Sequence, residues 1–328
     1  MKRLSELRCL VITGVTASGK TRLAVHLARK FQGEILSADS RQVYRGLDLG
    51  TGKDRDEYSS AGEAVPVHLL DIVDPGEEFH LFRFLAEARR SLMDIASRNK
   101  LPIIAGGSPL YLQALLDGYD LSGSAPEPEQ RLHLEQLPLP ELIELLRKEA
   151  SPALFARTDL TQVRRVVRAI EIARTGELCE PGAALQDPLI LAPKYPRSVC
   201  HQRIEKRLDE RLTQGLVQEV EQLHANGLSW EKLDWLGLEY RYVARFLKGE
   251  LSWPDMRQSL LVQIRHFCRR QDIWFRKMER EGKVIHWLPE GDPLLAEQLT
   301  RDWLCRGQGA RAFAVRESEI AKILLKQE

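Results

Sequence analysis

Residues 11–21 read Val-Ile-Thr-Gly-Val-Thr-Ala-Ser-Gly-Lys-Thr. Gly14, four residues, then Gly19, Lys20 and Thr21 have the spacing of a phosphate-binding P-loop. The apolar run just before it (Leu10, Val11, Ile12) reads as a buried parallel strand. Just after it, Leu23, Ala24, Leu27 and Ala28 recur at helical spacing. Strand, glycine loop and helix are the context that gives the motif its meaning. The glycines let the backbone wrap a phosphate chain, with N–H groups pointing inward and the helix dipole behind them. Gly14, Val15, Thr16, Ala17, Ser18, Gly19, Lys20 and Thr21 are therefore the candidate diphosphate cradle. Lys20 adds a full positive charge, and the Thr21 hydroxyl is the candidate ligand for a magnesium ion (Mg2+) bridging the phosphates. The loop by itself does not distinguish ATP from another diphosphate.

The chain has 328 residues, 43% hydrophobic and 29% charged, which suits a soluble globular protein of one large or two ordinary domains. No apolar run approaches the roughly 20 residues of a membrane span. Met-Lys-Arg leads straight into the first strand, so no signal peptide and a cytoplasmic location are expected. Cys9, Cys179, Cys200, Cys268 and Cys305 are scattered and lack CxxC spacing, which reads as free thiols with no zinc site. The net charge is +1, so any contact with nucleic acid must rest on local patches.

Beyond the loop, Glu34-Ile35-Leu36-Ser37 reads as a second strand running into Ala38-Asp39-Ser40-Arg41. The carboxyl ends of parallel strands face the ligand crevice, which puts Asp39 near the phosphate site. A carboxylate there can bind a metal, orient a nucleophile or accept a proton. Equally, Asp39 or Ser40 can cap a helix starting at Arg41. Val65 to Ile72 holds another strand, Phe79 to Ile95 an amphipathic helix, and Leu101 to Ala105 a strand ending in Gly106-Gly107. Pro109 suits the first position of the helix that follows. Ser122 to Pro140, rich in proline and acid, reads as a loop. Leu142 to Leu146 and Val163 to Ala173 read as helices, Leu189 to Pro193 as a return strand, and 200–226 and 254–281 as long helices.

Several motifs in this order resemble the tRNA dimethylallyltransferase (isopentenyltransferase) family, in its bacterial form. They are residues 14–21, Ser37-Ala38-Asp39-Ser40-Arg41-Gln42-Val43-Tyr44, His68-Leu69-Leu70-Asp71, Pro102 to Tyr111, Arg168-Ala169-Ile170-Glu171, Gln202 to Arg207, and Arg265-His266-Phe267-Cys268-Arg269-Arg270-Gln271. The resemblance covers roughly residues 10–290. It implies an α/β fold: a P-loop NTPase-like parallel sheet core with a small all-helical domain inserted. On that pattern 1–118 is the first part of the core, 119–186 the inserted tRNA-gripping domain, 187–288 the mostly helical second part, and 289–328 a tail.

The resemblance also implies transfer of a dimethylallyl group from dimethylallyl diphosphate to N6 of an adenosine beside the anticodon. The P-loop would hold the donor's diphosphate, with magnesium at Thr21. Asp39 matches the family's proposed base. Thr16 and Ser18 match the substrate-facing part of the loop, Ser108 a hydroxyl that contacts the target nucleotide, and Arg207 an arginine on the diphosphate. Read from charge pattern alone, Arg207 belongs to a solvated helix face. The expected tRNA contacts are Asp39, Ser40, Arg41, Gln42, Ser108, Arg131, Arg164, Arg165, Arg168, Arg265 and Arg269, reaching the anticodon stem-loop. A bland alternative pairs Arg168 with Glu171 or Glu177. Phe267, Trp274 and Phe275 are assigned to packing and His266 to the surface. The chain departs from the family at Leu238 and Glu239, where a tyrosine and a basic residue are usual. Glu239 is expected to weaken contact with phosphates, with Arg241 to compensate. A monomer is expected. Prenylation of free adenine nucleotides, an ATP-dependent kinase, and a tRNA binder without catalysis remain the alternatives.

Overall fold

The computed structural model describes residues 7–59, 64–119, 128–175 and 184–306. The chain opens with strand β1 (Leu10–Ile12), the glycine loop and helix α1 (Lys20–Lys30). Then come β2 (Gly33–Ser37), the short α2 (Arg55–Ser59), β3 (Val67–His68), α3 (Leu81–Ser97), β4 (Leu101–Ala105) and α4 (Pro109–Leu116). The strands pair in parallel in the order β3-β2-β4-β1, and β1 also pairs with β5 (Leu189–Lys194) on its far side. The register sets Leu10 opposite Ile103 and Leu189. The order reverses at β1, so the glycine loop leaves the sheet at the switch point, where parallel α/β sheets open their ligand crevice.

Alternate residues of the strands face opposite layers, as a period of two requires. Val11, Leu36, Ile104 and Ile190 belong to one apolar cluster, and Leu10, Ile12, Ile35 and Ile103 to the other. Burial on both faces explains why these strands read as unbroken apolar runs.

Their carboxyl ends are stitched tightly. Thr13 N–H donates to Leu191 O (2.9 Å), Gly106 N–H to Ile12 O (3.1 Å), and Ala38 N–H to Ala105 O (2.8 Å). A Cβ at Gly106 would lie 2.2 Å from the Ala38 carbonyl oxygen, which is backbone and cannot move aside. Gly106→Ala is therefore expected to cost about 1–3 kcal/mol of stability. The readout is a lower urea midpoint with an unchanged m-value.

Four helices follow β4 and α4: α5 (Pro128–Glu135), α6 (Leu139–Glu149), α7 (Pro152–Arg157) and α8 (Val163–Thr175). They enclose an apolar cluster of their own, with Leu134, Leu142, Leu146, Leu154, Val166, Val167 and Ile170 inside. The loop expected over 122–140 is corrected here, since α5 and the start of α6 fall within it. Proline at the first position of a helix does not break it, and Leu134 anchors α5 by burial. Residues 120–127 lie outside the described residues.

After β5 come α9 (Arg197–Gln214), α10 (Leu216–Ala225), α11 (Trp230–Leu236), α12 (Leu238–Leu247) and α13 (Trp253–Arg280). The single helix expected over 200–226 is two, broken at Gly215, whose φ of 108° ends α9 in the left-handed region. Helices α9, α12 and α13 bury Leu208, Tyr240, Leu260 and Ile264 on the same layer as Val11 and Ile104. This packing brings α9 and α13 over the glycine loop. The edge strand β6 (Ile285–Pro289) and α14 (Pro293–Arg306) complete the sheet and its second layer. Neither β6 nor the break at Gly215 was expected from the sequence. Among the described residues no helix is long and apolar enough to cross a membrane.

Candidate functional site

The glycine loop is held open by its backbone. Gly14 has φ 141°, Ala17 φ 60° and Gly19 φ 79°, and Ser18 N–H closes a turn on Val15 O at 3.3 Å. Gly19 begins α1 from the left-handed region, and a Cβ there would meet nothing within 4 Å. The space beside Gly19 is thus open at a helix N-terminus, the arrangement that can receive phosphate oxygens. The Ser18 hydroxyl is buried against the loop with no hydrogen-bond partner in the protein. Lys20 lies in the site with its ammonium 3.4 Å from Val15 O. Burial, with the Arg207 charge beside it, pulls its pKa down to about 8.

Gln271 ties the loop to the sheet. Its side-chain carbonyl accepts from Thr16 N–H at 2.8 Å and its amide donates to Gly107 O at 2.7 Å. The side chain is buried. This buried amide, on α13, fixes the distance between loop and strand end. The sequence does not mark it as a site residue, since a neutral amide inside a run of arginines carries no charge signal.

Arg207 turns inward. Its guanidinium donates to the Thr16 hydroxyl, and burial followed by its neighbour Arg211 lowers its pKa to about 10. The solvated-face reading is corrected: α9 packs over the loop, so the position facing inward is set by tertiary contact.

Asp39 sits on the turn after β2 and lines the same cavity as Thr16, Lys20 and Arg207. One of its carboxylate oxygens accepts from Arg41 N–H at 2.9 Å. The helix that it was equally expected to cap does not form, since residues 40–43 are turn and the next helix starts at Arg55. Ser108 accepts from Ser40 N–H through its hydroxyl at 3.1 Å, so the two loops at the ends of β2 and β4 are joined. Arg41 stacks on Trp235 at 4.3 Å and donates to its carbonyl at 2.8 Å. Gln42 donates to Gly52 O at 2.9 Å and accepts from the Ser37 hydroxyl at 3.0 Å, which holds the 51–52 loop beside the cavity.

The cavity measures about 520 Å³ and includes Ser108, Arg211, Glu239 and Phe267 in its lining. A smaller opening of about 260 Å³ lies behind the loop and shares Lys20, Thr21, Asp54 and Arg207 with it. Together these features place the glycine loop, the cations Lys20, Arg207 and Arg211, and the carboxylates Asp39 and Glu239 around one space.

A family model described as IPP transferase matches residues 42–278. The chain belongs to the IPP transferase family. It is 49% identical over 291 residues to tRNA dimethylallyltransferase 1 of Geotalea uraniireducens, covering 88% of this chain and 95% of that protein. It is 48% identical over 298 residues to tRNA dimethylallyltransferase 1 of Hahella chejuensis, covering 89% and 95%. Among solved structures it resembles the tRNA isopentenylpyrophosphate transferase of Bacillus halodurans, with TM-score 0.65, 28% identity, and 92% and 96% of the two chains covered. It also resembles a eukaryotic dimethylallyltransferase acting on tRNA, with TM-score 0.80, 25% identity, and 94% and 81% covered.

Of the arginines expected at an IPP transferase's RNA surface, most are ion-paired within the fold. Arg131 contacts Glu135 at 3.2 Å, and Arg168 contacts Glu171 at 3.0 Å, the bland partner named for it. Arg165 pairs with Asp159, and Arg265 with Glu205 at 2.9 Å. Arg164 and Arg269 are exposed. None of these six lines the cavity that holds Asp39.

Phe275 is fully buried, and Trp274 donates to Gln113 Oε1 at 3.0 Å, in keeping with packing roles. Phe267 is corrected: it is 38% exposed and lines the cavity. In the 234–241 segment Arg241 donates to Asp234 at 2.9 Å and lines the cavity together with Glu239. Burial raises the Glu239 pKa against the opposing pull of Arg211 and Arg207. Cys9, Cys200 and Cys268 are buried thiols and Cys305 is exposed, while Cys179 lies outside the described residues.

Proposed function

We propose that this chain transfers a dimethylallyl group from dimethylallyl diphosphate to N6 of an adenosine beside the anticodon of a tRNA. The observation that carries this is the sharing of one cavity by Asp39, Ser108, Lys20, Thr16 and Arg207. A carboxylate able to receive a proton thus faces a cradle able to hold a leaving diphosphate. The names of the relatives supply the substrate class: they are tRNA dimethylallyltransferases.

In this reading the N6 lone pair attacks the allylic carbon as the carbon–oxygen bond to diphosphate breaks. The electrons of that bond leave with the diphosphate. The proton released from N6 passes to the Asp39 carboxylate, which also orients a weak nucleophile. Lys20, Arg207 and the loop amides meet the charge that grows on the diphosphate. Magnesium suits this cradle, because Mg2+ is ordinarily held by one or two protein oxygens together with substrate phosphates and water. Thr21, in the first turn of α1 and in the cavity lining beside the open space at Gly19, is the residue that would hold it. What the ion supplies is further positive charge at the leaving group.

The target base must leave its stack to reach Asp39, which loop nucleotides allow. The exposed Arg164 and Arg269 are suited to the RNA backbone. A tRNA substrate supports a cytoplasmic location. The test is nucleoside analysis of unmodified tRNA after incubation with the donor. A prenylated adenosine beside the anticodon is expected, and unaltered tRNA would contradict the proposal.

Lys20 gives the site a pH signature. The ammonium attracts diphosphate only while protonated, so donor affinity is expected to fall as pH rises through about 8. Stability moves the other way. Between about 8 and the ordinary value of 10.5 the unfolded chain holds this proton and the folded chain does not, so this group's contribution makes the fold more stable as pH rises. Calorimetric titration of inorganic diphosphate on either side of that pH checks the first effect. Lys20→Met is expected to weaken binding and to flatten its pH dependence.

A further inference from the structure

We propose that Arg211 contacts substrate directly, its guanidinium binding a phosphate oxygen from inside the cavity. This rests on the prenyl-transfer reading above, in which both substrates carry phosphate. Arg211 lies one helical turn beyond Arg207 on α9 and is 8% exposed at its side chain. It lines the main cavity. Its Nη2 is buried and has no hydrogen-bond partner in the protein. The carboxylate paired with it, Asp54 Oδ1, stands 3.8 Å away, beyond hydrogen-bond range. A buried donor of a charged group left unsatisfied is costly, and a site that awaits an anion accounts for it.

The surrounding chain is built to keep this guanidinium in place. A Cβ at Gly52 would fall 1.9 Å from Nη2, so the fork occupies the space that the missing side chain leaves. The loop carrying Gly52 is fixed from its other side. Glu219 accepts from the N–H groups of Leu49 (2.7 Å) and Gly50 (3.1 Å), and from the Tyr240 hydroxyl (2.7 Å). Its ion pair with Asp54 is long, so Arg211 is held without being neutralised by a direct bond.

A planar fork of donors matches phosphate geometry better than a point charge does. Arg207 and Lys20 also line the smaller opening behind the loop, whereas Arg211 lines only the space shared with Asp39 and Ser108. The phosphate oxygen could come from the donor diphosphate or from the backbone of the target nucleotide.

The test compares wild type with Arg211→Met and Arg211→Lys in two binding arms. One arm is inorganic diphosphate with Mg2+, followed by calorimetry. The other is an anticodon stem-loop RNA, followed at two salt concentrations. Arg211→Met is expected to lose about tenfold or more in one arm, with an undiminished melting temperature, since an unsatisfied buried charge is removed. Arg211→Lys should recover only part of the loss. A loss confined to diphosphate assigns the contact to the donor, and a loss confined to RNA assigns it to the acceptor. Binding within about twofold of wild type in both arms would overturn the proposal and leave Arg211 as packing beneath Gly52. If Arg211→Met does not fold, Arg211→Lys is read in the same arms by the same criteria. Failure of wild type itself to bind diphosphate would instead overturn the prenyl-transfer reading, and this inference with it.

Discussion

Asp39→Ala is expected to slow single-turnover prenyl transfer by roughly 10²–10⁴-fold, the range that a positioned general base contributes. Binding of tRNA should hold within a few-fold, because the loop around Asp39 has other supports. Ser108 bonds Ser40 N–H, and Arg41 is anchored on Trp235 through both stacking and a hydrogen bond. Asp39→Asn is the sharper variant, since it keeps the size and still accepts from Arg41 N–H while removing the base. Alanine and asparagine should therefore be similarly slow. Unchanged turnover in Asp39→Asn, at saturating donor and tRNA, would remove Asp39 from the chemistry.

Arg207→Met carries the second large effect. The guanidinium bonds the Thr16 hydroxyl and stands beside Lys20 at the mouth of the cradle. Even with its pKa lowered to about 10 it stays charged at neutral pH. Removing one donor from a charge-stabilising cradle typically costs about 10²–10³ in rate. We expect that loss in kcat together with a raised KM for the donor, and a KM for tRNA that does not move. Arg207→Lys should rescue poorly, because a point charge does not reproduce the fork. A variant whose only defect is tRNA affinity would place Arg207 on the RNA side of the site.

The cradle was legible in the sequence because all of it is local. Gly14, Gly19, Lys20 and Thr21 fall within eight residues, between an apolar strand and an apolar helical stripe. Asp39 was legible in place but not in role, since a carboxylate after a strand can cap a helix or face a ligand. Only the absence of a helix at 41 separates the two. Arg207 and Arg211 were hidden in a helix with charges of both signs, where periodicity cannot say which face a distant loop will cover. The setting of Glu239 was hidden for the same reason: it shares the cavity with Arg207 and Arg211 because α9 and α12 pack on one layer. Gln271 carries no mark in the sequence because it acts through two backbone groups brought together by the fold, Thr16 N–H and Gly107 O. Composition without burial shows neither the break at Gly215 nor the helix at 128–135. Gly215 is one glycine in a polar run, and α5 looks like a loop until Leu134 is seen inside a core.

The most direct test of the central claim offers labelled dimethylallyl diphosphate to the protein with unmodified tRNA in one reaction and AMP in another. The cavity holding Asp39 and the cradle, together with membership of the IPP transferase family, leads us to expect label in tRNA, at an adenosine beside the anticodon, and none in AMP. Label in AMP alone would contradict the assignment of tRNA as acceptor. Label in neither, with tRNA still bound, would contradict the assignment of prenyl transfer itself.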